Sequence, residues 1–224
     1  MRTNASKKRG WIRLSEDQTV DTQGLLDALG SKDARRILDA LLSLHEFVVL
    51  QDGIELDEVM YLWNNDAQFD SSKLDPFVNP LGELMQCELA GERNLVYEIR
   101  VNACDLLSLT NKDAVPYLLL GVDGPHASID TLKSALIGLV RFEATHTADA
   151  IYTSIFNADF ESFFGDDTLA AVEGGYDQLV ALGKLGDERA FDLLGNALAH
   201  EDWGEMAAEV LAEIDTQRSK EVLG

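Results

Sequence analysis

A helix–turn–helix word repeats along this chain and limits it to few architectures. Each occurrence starts with a polar turn, continues with a small residue or proline, and enters an apolar helical pattern. The openings fall at Ala34 (GSKDARRILDALL), Pro76 (SKLDPFVNPLGELM), Ala114 (NKDAVPYLLL), Ala150 (HTADAIYTSIF) and Ala190 (GDERAFDLL), 42, 38, 36 and 40 residues apart. Inside a unit the spacing is that of an amphipathic helix: Ala190, Leu193, Leu194 and Leu198 stand at i, i+3, i+4 and i+8. A unit of this length holds two helices, and its apolar faces are buried only when neighbours stack on it. The expected fold is therefore all-α, a short α-solenoid of about five antiparallel helix pairs.

The stretch from Tyr176 to Ile214 reads as helix, tight turn, helix, short loop, helix. Leu179, Leu182 and Leu185 end its first helix, and Gly186-Asp187 punctuates it. LVYEIRVNACDLLSL and IDTLKSALIGLVRF read as second helices of their units, and the closing DTQRSKEVLG as a shortened opening helix that caps the array. Toward the N-terminus the pattern is less regular. Lys32 to Leu50 reads as one long helix, Ile54 to Trp63 as a helix of about three turns, and NNDAQFDSSKLDP as a loop closed by Pro76. Residues 157–175 place Phe160, Phe163 and Phe164 among acids. That segment reads as a hydrophobic plug followed by a short helix from Asp167 to Val172, or as a binding edge. The expected organisation is a basic tail over residues 1–14 and a single repeat domain over 15–224, clearest over 95–224.

The words ALGKLGDERAFDLL and AAEVLAEI resemble the HEAT-like repeat family of the phycobilisome-lyase type, whose members stack antiparallel helix pairs into a curved rod. The resemblance implies that Arg100, Val101 and Ala103, and likewise Lys133 and Ala135, hold the basic and small positions of second HEAT helices. It implies little about activity, because such rods serve many ends. His45-Glu46 and His200-Glu201 resemble the His-Glu pairs of deoxyhypusine hydroxylase, a di-iron enzyme on the same scaffold. That family carries four pairs; this chain has two, so the ligand set is incomplete. HEAT-like DNA glycosylases are basic, unlike this chain. A metal-dependent or lyase-type enzyme on a HEAT-like scaffold remains the alternative reading.

Charge is distributed unevenly. The net formal charge is −22 over 224 residues. Residues 1–13 hold Arg2, Lys7, Lys8, Arg9 and Arg13 and no acid, which leaves 13 basic against 40 acidic side chains, or −27, on the rest. Such a body repels nucleic-acid backbones and favours a basic partner, plain solubility or life at high salt. No apolar run approaches the roughly 18 residues that span a bilayer, and no apolar segment follows the basic cluster near the start. A soluble, cytoplasmic protein without a membrane partner is expected. Cys87 and Cys104 lack metal-ligand spacing and read as inert core residues.

Chemistry-bearing motifs are missing: there is no G-x-S-x-G, P-loop, dinucleotide glycine fingerprint or Cys/His metal pattern. Glu143-Ala-Thr-His146 has the spacing of a di-iron helix, but no second such motif accompanies it, and His146 reads as a cation at a helix end. No catalytic residue, cofactor or metal is expected. What remains is a surface. Glu205, Glu209 and Glu213 stand at i, i+4 and i+8, with Glu201 and Asp202 at the head of the ridge and Trp203 as an anchor beside it. Glu98, Asp105 and Asp177 lie on equivalent second helices and extend the same acidic, concave face. The expected function is a non-enzymatic scaffold that captures a basic protein, for instance an inhibitor or immunity protein for a bacterial toxin or nuclease with a cationic cleft.

Overall fold

The computed structural model describes residues 21–52, 71–86, 88, 92–157, 175–201 and 203–224. The regular structure of the described residues is helical throughout: α1 (Thr22–Leu29), α2 (Ala34–Asp52), α3 (Val78–Gln86), α4 (Arg93–Ser108), α5 (Val115–Asp123), α6 (Ile129–Arg141), α7 (Ala148–Asn157), α8 (Tyr176–Lys184), α9 (Glu188–Leu198), α10 (Gly204–Ile214) and α11 (Gln217–Leu223). The expected helix over 54–63, the basic tail, Cys87, Asp202 and residues 158–174 of the Phe-rich segment lie outside the described residues. The end of the expected loop differs from its reading. Ser71–Phe77 is a 3-10 helix leading into α3, with Pro76 inside it, ahead of the α-helical hydrogen bonds that proline would interrupt.

Local chemistry explains where helices start. Asp33, Asn111 and Asp187 each sit before an opening helix and accept a backbone N–H two residues on, from Arg35 at 3.0 Å, Asp113 at 2.8 Å and Arg189 at 3.0 Å. Ser128 ahead of α6 and Thr216 ahead of α11 form reciprocal capping boxes, with Thr131 and Ser219 in the third position. Gly186 ends the α8–α9 turn at φ +79°, a conformation that a Cβ would strain.

The same caps correct the repeat register. Ala114 and Ala190 stand three residues past Asn111 and Asp187, donate their N–H to those residues' carbonyls, and are fully buried. In the intervening unit the residue with that bond is Thr147, donating to Ala144 at 2.9 Å and 2 % exposed. Ala150, the expected marker, is half-buried in α7. The buried small position therefore falls three residues earlier. A 3-10 turn over Thr145–Thr147 opens this unit, as Lys112–Ala114 opens the one before it, but here the buried third residue is a threonine and the alanine marker misses it.

Packing follows sequence order. Each odd-numbered helix up to α9 packs on the even-numbered helix after it. The even helices α2, α4, α6, α8 and α10 touch in succession, as do α1, α3, α5 and α7, and α9 touches α11. Between α7 and α9, Arg189 reaches Asp149 at 2.9 Å and lies over the Tyr152 ring, 4.4 Å from its centroid. One continuous apolar core runs between the two rows from Leu25 to Ile214. Small residues set how closely helices approach. Ala103, Ala135 and Ala207 are fully buried, and a Cβ on Gly138 of α6 would stand 2.9 Å from Ser108 Cα on α4.

Candidate functional site

The acids of α8 and α10 come together. Glu205 and Glu209 are exposed on α10 and Glu213 is half-buried. Asp177, in the first turn of α8, has a side chain 27 % exposed. Burial pushes the Asp177 carboxyl up; the charge of Lys133, 3.9 Å away on α6, opposes that rise and the charge of Glu213 adds to it. The Tyr176 hydroxyl is likewise pushed up, first by burial and then by Glu213, Glu209 and Asp177. The helices α8 and α10 pack against each other, which brings these acids near enough to act on Tyr176. Lys184 at the end of α8 donates from its Nζ to the Ile214 carbonyl at 3.3 Å, and burial lowers its pKa against the pull of Glu213 and Asp215.

The other expected members are placed differently. Glu98 is exposed on α4 and Glu201 is exposed in the α9–α10 connection. Trp203, expected as an anchor beside the ridge, is half-buried and packs against the core at the start of α10. Asp202 is outside the described residues. Asp105 does not belong to the surface, because it is only 5 % exposed. It is buried in the α4–α6 contact, where Ser134 Oγ donates to its Oδ1 at 2.5 Å. Seven residues separate Glu98 from Asp105, so the two share a helix face to within about 20°. α6 covers one and leaves the other open.

Burial raises the Asp105 carboxyl to about 7; the Ser134 bond opposes the rise and the charge of Asp130 assists it. The pair resembles a base and a hydroxyl, yet Ser134 is 3 % exposed and no substrate reaches it there. Cys104 beside it is buried, with Sγ 3.3 Å from the Thr131 carbonyl, and burial pushes its thiol well above the ordinary value, away from reactivity.

The two His-Glu pairs are far from alike. His45 lies in α2 with Nε2 3.2 Å from the Asn102 carbonyl of α4, whereas His200 and Glu201 are exposed in a turn. Glu143 and His146 do not share a helix face: α6 ends at Arg141, Glu143 takes a left-handed φ of 51°, and His146 lies in the following 3-10 turn. Among the described residues no group of three or more His, Cys, Asp or Glu side chains is arranged to hold a metal ion, and no helix is long and apolar enough to cross a membrane.

The fold also forms a cleft that is not legible in the sequence. A cleft of about 380 Å³ lies between α4 and the α5–α6 turn, lined on one side by Arg93, Val96, Tyr97 and Arg100. Their i, i+3, i+4, i+7 spacing is legible as one helix face. The opposite wall, His126 and Ser128, is not legible as a partner to it without the fold. No protein-family model matches the sequence, and no curated protein matches it.

Proposed function

We propose that this protein is a HEAT-like α-solenoid of about five antiparallel helix pairs that acts as a non-enzymatic scaffold and captures a basic protein. The observation that carries the reading is the packing of α8, which bears Asp177, against α10, which bears Glu209 and Glu213, in a chain of net charge −22. Like charges gathered this way repel one another, and a lysine- or arginine-rich surface relieves that repulsion on docking. Complementary fields of this kind speed encounter and reject acidic competitors. A toxin or nuclease with an electropositive cleft is the partner class that fits best, which makes the scaffold an inhibitor or immunity protein of a bacterial cytoplasm.

The test is charge reversal with a matched control. A partner recovered from the native source should bind the Glu209→Lys/Glu213→Lys variant at least about tenfold more weakly, chiefly through slower association at low salt. Asp123→Lys, on the exposed side of α5, should leave binding within about twofold. Equal affinity of the wild type and the double variant would remove the acidic surface from the reading.

A further inference from the structure

A groove of about 230 Å³ opens between the close of α1 and α3, at the first end of the array. Leu29 and Leu84, both 3 % exposed, line it together with the half-buried Leu26 and Pro80. Glu83, exposed on α3, is the charged side chain among its lining residues, and no lysine or arginine among the described residues pairs with it. Small-molecule sites run to about 300–1,000 Å³, so this hollow suits one or two side chains instead. A stacked array also needs its first unit covered on the side where no earlier unit stands. With 8 residues against the 19 of α2, α1 is a short cover for that end.

The chain itself carries matching chemistry. Twenty residues precede Asp21, and the bulkiest apolar word among them is Trp11-Ile12-Arg13-Leu14. Asp21 caps α1, accepting the Gly24 N–H at 2.9 Å, at the end of the helix away from the groove. The way back along α1 to Leu29 is about 12 Å. Trp11 stands ten residues before Asp21, a reach of up to about 33–36 Å, so the word spans the distance with length to spare. In an extended chain every second side chain points the same way, which puts Trp11 and Arg13 on one side.

We propose that the groove between α1 and α3 is the seat of this chain's own residues 11–14, with the Trp11 indole among Leu26, Leu29, Pro80 and Leu84 and the Arg13 guanidinium on the Glu83 carboxylate. A buried tryptophan removes about 150–250 Å² from water. Its tether holds it at an effective concentration of about millimolar, so a contact of this size suffices without a large interface. The guanidinium–carboxylate pair fixes which side of the segment faces the groove. Docking closes the open end of the array and lays Lys7, Lys8 and Arg9 beside the first unit. Neither α8 nor α10 lines the groove, and the test is independent of the acidic surface.

The experiment is nuclear Overhauser spectroscopy on the full chain, with labelled leucine methyls and indoles. Contacts are expected between the Trp11 indole and the methyls of Leu26 and Leu84. Trp11→Ala should abolish them and shift the amides of residues 26–31 and 80–84. Glu83→Lys, an exposed change that spares the fold, should lower the docked-to-free ratio about twofold or more, and Arg13→Glu in the same chain should restore it. The spectra themselves report whether each variant is folded, and a mixture of separately labelled copies tests whether docking is within one chain. Absence of contacts from Trp11 to these leucines, unchanged amides in Trp11→Ala, or a ratio that Glu83→Lys leaves unaltered would each overturn the proposal. Contacts from residues 54–63 in place of Trp11, or contacts found only between copies, would overturn it as well.

Discussion

Replacing Asp105 by Asn removes a charge from the α4–α6 contact while keeping its shape. The carboxyl is 5 % exposed, and burial pushes its pKa from 3.8 to about 7. The folded value lies above the unfolded one, so the native protein keeps this proton where the unfolded chain has already lost it. Stability from this group is complete below about pH 4, falls as pH climbs, and is gone above about pH 7. At about 1.4 kcal/mol per pH unit, the whole loss is on the order of 4 kcal/mol. Asparagine cannot ionise and still offers an oxygen to Ser134 Oγ, now 2.5 Å from Asp105 Oδ1. Urea unfolding of both proteins, followed by circular dichroism, reads the difference. The advantage of Asp105→Asn over wild type should grow by about 3 kcal/mol between pH 5 and pH 8. A difference that stays constant across that interval refutes the idea that this carboxyl titrates inside the folded protein.

Gly138→Ala should destabilise the fold by about 1–3 kcal/mol in the same urea assay, because its Cβ would meet the Ser108 backbone at 2.9 Å. Asp187→Ala removes the cap of α9 and the carboxylate held by Arg189 Nε at 2.9 Å and Nη2 at 2.6 Å, at a cost of about 1–2 kcal/mol in thermal or urea unfolding. His45 is held below its ordinary 6.5 by burial, with the Asn102 carbonyl opposing, so its contribution is complete above about pH 6.5 and is lost as pH falls through the lowered value. His45→Gln should therefore show a shallower fall in melting temperature than wild type between pH 7 and pH 5, and parallel curves would count against a half-buried imidazole held neutral.

Helix positions were legible because their causes are local. Asp187 caps α9 through an N–H two residues away, Gly186 turns the chain by its own φ, and the periodicity of Leu193, Leu194 and Leu198 needs no partner to be read. The shift from Ala150 to Thr147 is not legible for the opposite reason: no polar side chain caps the Thr145–Thr147 turn, so its start leaves no mark in the sequence. The acidic ridge of Glu205, Glu209 and Glu213 was visible as i, i+4 spacing on one helix. Its meeting with Asp177 depends on α8 lying beside α10.

The sequence by itself determined an all-helical chain, the placement of most of its turns and an acidic excess, since each follows from neighbours a few residues apart or from composition. Burial was decided only in the tertiary structure. Glu98 and Asp105 are chemically near equals on one face of α4, and α6 covers the second and not the first. The Arg93–Arg100 face likewise becomes a cleft only where the α5–α6 turn is laid against it. Solvent exposure and local dielectric are set by what packs from elsewhere in the chain, and those set which carboxylate keeps its proton and which cations share a hollow.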